Sequence, residues 1–152
     1  MVIQRWQNLM LLIAAAMMGI FSFCSLGQFQ GADVTVNFTA SGMAVEGTGA
    51  SYMGTFYLFV VALLGAILPL LAIFKYKALG VQRRIILLSI VLIIAAMATA
   101  FLSSLYAGVP GADGIGWSSV VIAPFIALAA LVIALRCIAS DKRKLASYDR
   151  LR

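Results

Sequence analysis

The chain contains no histidine, only two cysteines, three prolines and few charges. Each scarcity excludes something. Without histidine there is no imidazole to act as a general base near neutral pH or to ligate a metal. The cysteines, Cys24 and Cys137, fall on opposite sides of an expected hydrocarbon core about 30 Å thick. A disulfide needs Cα atoms within about 7 Å, so the two are expected as small packing residues. Charged side chains make up 11% of the 152 residues, against about a quarter in a soluble domain. That leaves too few to coat a water-facing globule. Apolar residues dominate instead, at 64% with a mean hydropathy of +1.08. One domain is expected at this length, with the bilayer as its solvent.

Four apolar runs stand out, over residues 9–26, 54–74, 85–106 and 118–135, and none contains Asp, Glu, Lys or Arg. Each approaches the roughly 20 residues that a helix needs to cross a bilayer. Helices satisfy their own backbone groups in lipid, so the expected architecture is an all-α, four-transmembrane-helix bundle of two antiparallel helical hairpins. A cleaved signal peptide is the competing account of the first run. It fits poorly, because the run exceeds the usual 7 to 15 apolar residues and no small-x-small cleavage site follows.

The basic residues give the orientation. Arg5 precedes the first run; Lys75, Lys77, Arg83 and Arg84 lie in the inner loop 75–84; the other six lie in the tail 136–152. With four spans these segments share one side. The opposite loops hold only Asp33, Glu46 and Asp113. Short loops rich in Lys and Arg stay cytoplasmic, which places both termini inside. A nucleic-acid partner is not expected despite the net charge of +6, because no basic face interleaved with aromatic or polar readers exists. Trp6, Tyr52 and Trp117 fall at the expected membrane boundaries. Pro69 and Pro124 lie inside the second and fourth runs and should kink those helices or leave carbonyls for neighbours to satisfy. Pairs of small residues, Ala15 with Gly19, Ala96 with Ala100 and Ala123 with Ala127, predict close helix packing or self-association.

Outside the runs, the outer loop 27–53 alternates: Val34, Val36 and Phe38 against Thr35, Asn37 and Thr39. A Ser41-Gly42 turn then precedes Met43 and Val45. This period of two predicts a short extracytoplasmic β-hairpin whose apolar face packs on the bundle or on a partner. The second outer loop reads as a Gly-rich turn. The tail predicts a short amphipathic helix along the inner leaflet, capped by Ser140 and drawn to anionic headgroups. A frayed tail is the bland alternative.

Three segments, MVIQRWQNLMLLIAA, FKYKALGVQRRI and DKRKLASYDRLR, carry a resemblance. They are similar to the bacterial membrane family catalogued as domain of unknown function 4293, with its I-Q-R-x-Q start, Q-x-R loop element and D-R-L-R end. The likeness implies a four-span inner-membrane protein of Bacteroidota, and it implies no activity or catalytic residue. This tail is more basic than the family's, at Lys142, Arg143 and Lys144, and Ala78-Leu79-Gly80 is inserted in the central loop.

No acid–base pair, cofactor motif or intramembrane charge is visible. The expectation is therefore a non-catalytic accessory, assembly or scaffold component of the inner membrane, without a cofactor or metal. A small-solute or lipid-binding carrier or channel is the alternative. Its partners would be anionic headgroups, a membrane protein or a second copy, met by Arg5, Arg83, Arg84, Arg150 and Arg152.

Overall fold

The computed structural model describes residues 2–31, 34–47, 50–76, 78–107 and 114–149. Four helices carry the chain: α1 (Val2–Phe23), α2 (Phe56–Phe74), α3 (Leu79–Tyr106) and α4 (Ala123–Asp149). All four are long and apolar enough to cross a membrane, and only 28% to 39% of each apolar stretch is buried inside the protein. The outward surface is therefore itself greasy, with Val91, Phe101, Ile122 and Phe125 all more than half exposed. Around the bundle the helices follow chain order. The α1–α4, α1–α2 and α2–α3 seams are extensive, and α3 meets α4 more lightly.

The buried face of each helix obeys the helical period. In α3 it is Gln82, Ile86, Ser89, Ile93, Ala96, Ala100 and Ser103, spaced by three or four as one helix face requires. Small residues admit close approach: Ala96, Ala127 and Ala134 are fully buried. Gly19 departs from expectation, because a Cβ added there would meet nothing within 4 Å. Gly65 is the glycine that packs, with Ile93 and Met18 side-chain carbons 3.4 Å from the position of its missing Cβ.

The two prolines differ. Pro69 lies inside the unbroken α2, where its missing N–H leaves the carbonyl four residues back, on Gly65, without its helical donor. Ser89 of α3 donates its hydroxyl to that carbonyl at 3.2 Å. Pro124 is not a mid-span kink. It is the second residue of α4, where a missing N–H leaves no helical bond unmade. A 3-10 turn over Ser119–Ile122 leads into it.

The expected hairpin is the centre of something larger. Five strands, β1 (Ser25–Gln30), β2 (Thr35–Thr39), β3 (Gly42–Val45), β4 (Ser51–Gly54) and β5 (Ile115–Trp117), form one antiparallel sheet in the order β4-β3-β2-β1-β5. Within it Val36 faces Val45, and Phe38 faces Met43, across β2 and β3. The architecture is thus a helical bundle capped at one end by a sheet. The second outer loop, expected as a simple turn, supplies β5 against β1. A Gly-rich segment with only Ile115 and Trp117 as large side chains carries no alternation long enough to announce a strand. The pairing comes from its partner. The first span also ends earlier than expected, at Phe23, and Leu26 belongs to β1.

The tail is the other correction. Among the described residues no separate surface helix forms: α4 continues unbroken to Asp149, about 40 Å at 1.5 Å per residue. Ser140 lies inside it instead of capping a new helix. Neither Gly nor Pro interrupts Arg136–Asp141, and the buried stripe of Leu131, Ala134 and Ile138 runs straight through the expected boundary.

Candidate functional site

The protein offers two distinct ends, and each gathers functional candidates. The sheet end is built first from β2, whose Val36 and Phe38 are fully buried while Thr35, Asn37 and Thr39 face outward, half-buried. Leu26, Phe29 and Met43 join them against Phe21 of α1, in a core continuous with the helices. Phe38 packs edge-on to Trp117, with ring centroids 6.3 Å apart. Of the expected apolar hairpin face, Val36, Phe38 and Met43 are buried and Val45 half-buried. Val34 is exposed. It lies just before β2, where its carbonyl accepts from Gly31 N–H.

Three fastenings tie the sheet down. Thr55, fully buried at the start of α2, makes no cap of its own helix. Its hydroxyl instead reaches the carbonyls of Thr39 and Ala40 at 3.2 and 3.1 Å. Ser118 N–H donates to the Leu26 carbonyl. At Gly27, which pairs with Trp117, a Cβ would stand 2.8 Å from the Gly116 carbonyl oxygen; only glycine lets β1 and β5 approach so closely. The outward face is polar, and Gln28 donates to Asn37 across the strands at 2.8 Å.

The opposite end collects the start of α1, the connection between α2 and α3, and the last turns of α4. Arg5 lies near the start of α1, Arg83 and Arg84 lie exposed near the start of α3, and Lys75, Arg136 and Arg143 are also exposed. Arg150 and Arg152 lie outside the described residues, as do Asp33, Lys77 and Asp113. Below the basic surface two glutamines face inward. Gln7, 2% exposed, donates to the Asp141 carboxylate at 2.5 Å and so ties α1 to α4. Gln82 of α3 is fully buried, and among the described residues neither its amide nitrogen nor its carbonyl oxygen has a hydrogen-bond partner.

The sequence singles out the arginines, and Gln7 and Gln82 only as parts of the I-Q-R-x-Q start and the Q-x-R loop element; it gives Thr55 and Ser89 no such mark. The spacing of the glutamines is a usable signal: Gln7 stands four before Leu11 and Gln82 four before Ile86, each on the buried face of its helix. Among the described residues no three Cys, Asp or Glu side chains converge as metal ligands. Glu46 is exposed just after β3, and both cysteines are free. Tyr57 and Ser103 share a hydrogen bond in the sheet-side half of the bundle, and Ser103 also donates to the Thr99 carbonyl within its own helix. That arrangement fastens α2 to α3.

These features define a class: a bundle of four helices long and apolar enough to cross a membrane, closed at one end by a small antiparallel sheet drawn from both loops. The chain belongs to the family described as Domain of unknown function (DUF4293), which matches residues 3–151. Neither a curated protein nor a solved structure matches it.

Proposed function

We propose that this is an integral protein of the inner membrane of a Gram-negative bacterium of the Bacteroidota, with both termini cytoplasmic, acting as a non-catalytic accessory, assembly or scaffold component. The sheet carries the reading. Strands from two separate loops are brought together at the Gly27 contact and fastened to the helix ends by Thr55 and Ser118. The result is a preorganised polar platform, and preorganised surfaces lose little entropy when a partner docks. At the other end, exposed Arg83 and Arg84 with Arg136 and Arg143 suit anionic headgroups of the inner leaflet, at about 1 kcal/mol per nearby cation. Arg5, Arg150 and Arg152 belong to the same proposed contact. The alternative is a lipid-binding or small-solute carrier, and an apolar groove described below favours its lipid form.

Gentle extraction from the native membrane followed by crosslinking mass spectrometry tests the scaffold reading. A stoichiometric partner crosslinked beside the sheet is the expected outcome. Recovery of the chain with lipid alone would move lipid binding to the front. Reporter fusions test orientation separately, and a C-terminal reporter active outside the cytoplasm would overturn the charge-based topology.

A further inference from the structure

The lightest seam of the bundle, between α3 and α4, opens near the sheet into a groove of about 210 Å³. Met97 and Phe101 of α3 line one side, Val121 and Phe125 the other, and Trp117 of β5 lies at its sheet end. The inner lining includes Phe21 and Ala100, which are 1% and 5% exposed. Phe101 and Phe125 are 57% and 56% exposed and form an outer rim. We propose that this groove seats part of one acyl chain of a membrane lipid from the leaflet on the sheet side. The inference rests on the membrane reading above and sharpens its lipid-binding alternative.

Size and chemistry choose the occupant. Every lining side chain except the Trp117 indole is purely hydrocarbon or thioether, so water has no set of partners there. Apolar cavities of about 150 Å³ stay dry and take up apolar guests. A transmembrane helix from another protein, about 10 Å across, is a poor fit. The groove spans only Met97–Phe101 on α3, about 6 Å of helix rise, which is room for a thin chain and not for a helical face. Lipid tails surround the bundle at that depth, so the gain in seating one is dispersion contact with the lining and not transfer out of water. A seated chain also fills the gap that the loose α3–α4 seam leaves, restoring contacts that a void forfeits.

The test uses the full chain in native-membrane lipid. A phosphatidylethanolamine carrying a diazirine in one acyl chain is incorporated and irradiated. Label is expected to concentrate on the peptides holding Met97–Phe101 and Val121–Phe125, several-fold above the equally exposed Val91 region. Native mass spectrometry should then show one lipid retained per chain. Ala100→Phe should cut that retention about tenfold, Phe125→Ala should cut it more modestly, and Val91→Ala should leave it unchanged. Label spread evenly over all outward helix faces would overturn the proposal even if Ala100→Phe fails to fold. So would retention indifferent to both groove variants, or a protein crosslink from the groove to a second copy. Alkaline carbonate extraction separates the two levels. A chain washed off the membrane refutes the membrane reading itself, whereas one that stays and shows no groove-dependent lipid refutes the groove alone.

Discussion

The two ends of this bundle solve the problem of stopping a helix in opposite ways. At the sheet end, loop polar groups are tied back to the frame: Thr55 to Thr39 and Ala40, Ser118 to Leu26, Gln28 to Asn37. At the basic end, charges spread over the surface while polar groups are pulled inward, one bonded pair and one unbonded amide. The first arrangement resembles a soluble domain's concern with a single defined geometry. The second leaves a polar group in an apolar layer, at a cost the surrounding packing must offset. Geometric precision is therefore concentrated at the sheet, which is where the proposed docking of a partner needs it.

The contrast can be broken most directly at Gly27. A Gly27→Val substitution drives side-chain carbon into the Gly116 carbonyl, 2.8 Å from the first atom added. The expected loss is about 3 kcal/mol, at the upper end of overpacking costs. Protease should then cut more readily around Ile115–Trp117, while the helical circular dichroism persists. An unchanged cleavage pattern would show that β5 contributes nothing to the rigidity of the sheet. Thr55→Val keeps shape and removes the hydroxyl shared by two strand carbonyls. Leaving those buried acceptors without their donor should cost about 2 kcal/mol, read as a lower midpoint in thermal unfolding in detergent. A midpoint equal to the wild type would mean that the sheet is held by its apolar face alone.

How much of this could be read from the sequence depends on the length of the signal. The helices were legible because each apolar run continues for about five turns. The centre of the sheet was legible because Val36-Asn37-Phe38 alternates cleanly. The edge strands were not, since Ile115-Gly116-Trp117 and Ser51–Gly54 are too short and glycine-rich to show a period; they exist because a neighbour offers a backbone ladder. Pro124 reads as a kink if span four begins at Ser118. With the helix starting at Ala123, the same proline is an ordinary first-turn residue. The tail misled for a different reason. Its charge pattern is that of a surface helix, but the continuity of α4 is set by Ala134, Ile138 and the Gln7–Asp141 bond, and such long-range partners are invisible in the pattern itself.

Midway between the ends, Ser89 sharpens the comparison. It resembles the sheet end in satisfying an orphan carbonyl, yet it sits deep within the apolar bundle. Ser89→Ala should cost about 1 kcal/mol, within the range of interhelical hydrogen bonds in membranes. Because the orphan on Gly65 is created by Pro69, the two residues are coupled. In a Pro69→Ala background the Ser89→Ala loss should shrink, since the backbone N–H restored at position 69 can bond the Gly65 carbonyl instead. Equal losses in both backgrounds would show that Ser89 acts by packing and not through that carbonyl.

The smallest expected effect has the opposite sign and falls at the basic end. Gln82 occupies a fully buried position on α3, one turn before the buried Ile86, with no partner for its amide nitrogen or oxygen among the described residues. Gln82→Leu keeps a side chain of similar reach and removes two desolvated polar groups. It should therefore stabilise the protein by about 1 kcal/mol, at the low end of the unsatisfied-group penalty because repacking a branched side chain offsets part of the gain. Thermal unfolding in one detergent, with wild type and Gln7→Leu alongside, reads the sign. Gln7→Leu must destabilise, because it strips Asp141 of its donor on α1. If both substitutions destabilise, Gln82 is a bonded member of the same polar layer as Gln7, and the basic end is fastened as deliberately as the sheet. If only Gln7→Leu does, the asymmetry between the ends is real. The amide of Gln82 is then retained against its own cost to stability, and function is the remaining reason to keep it.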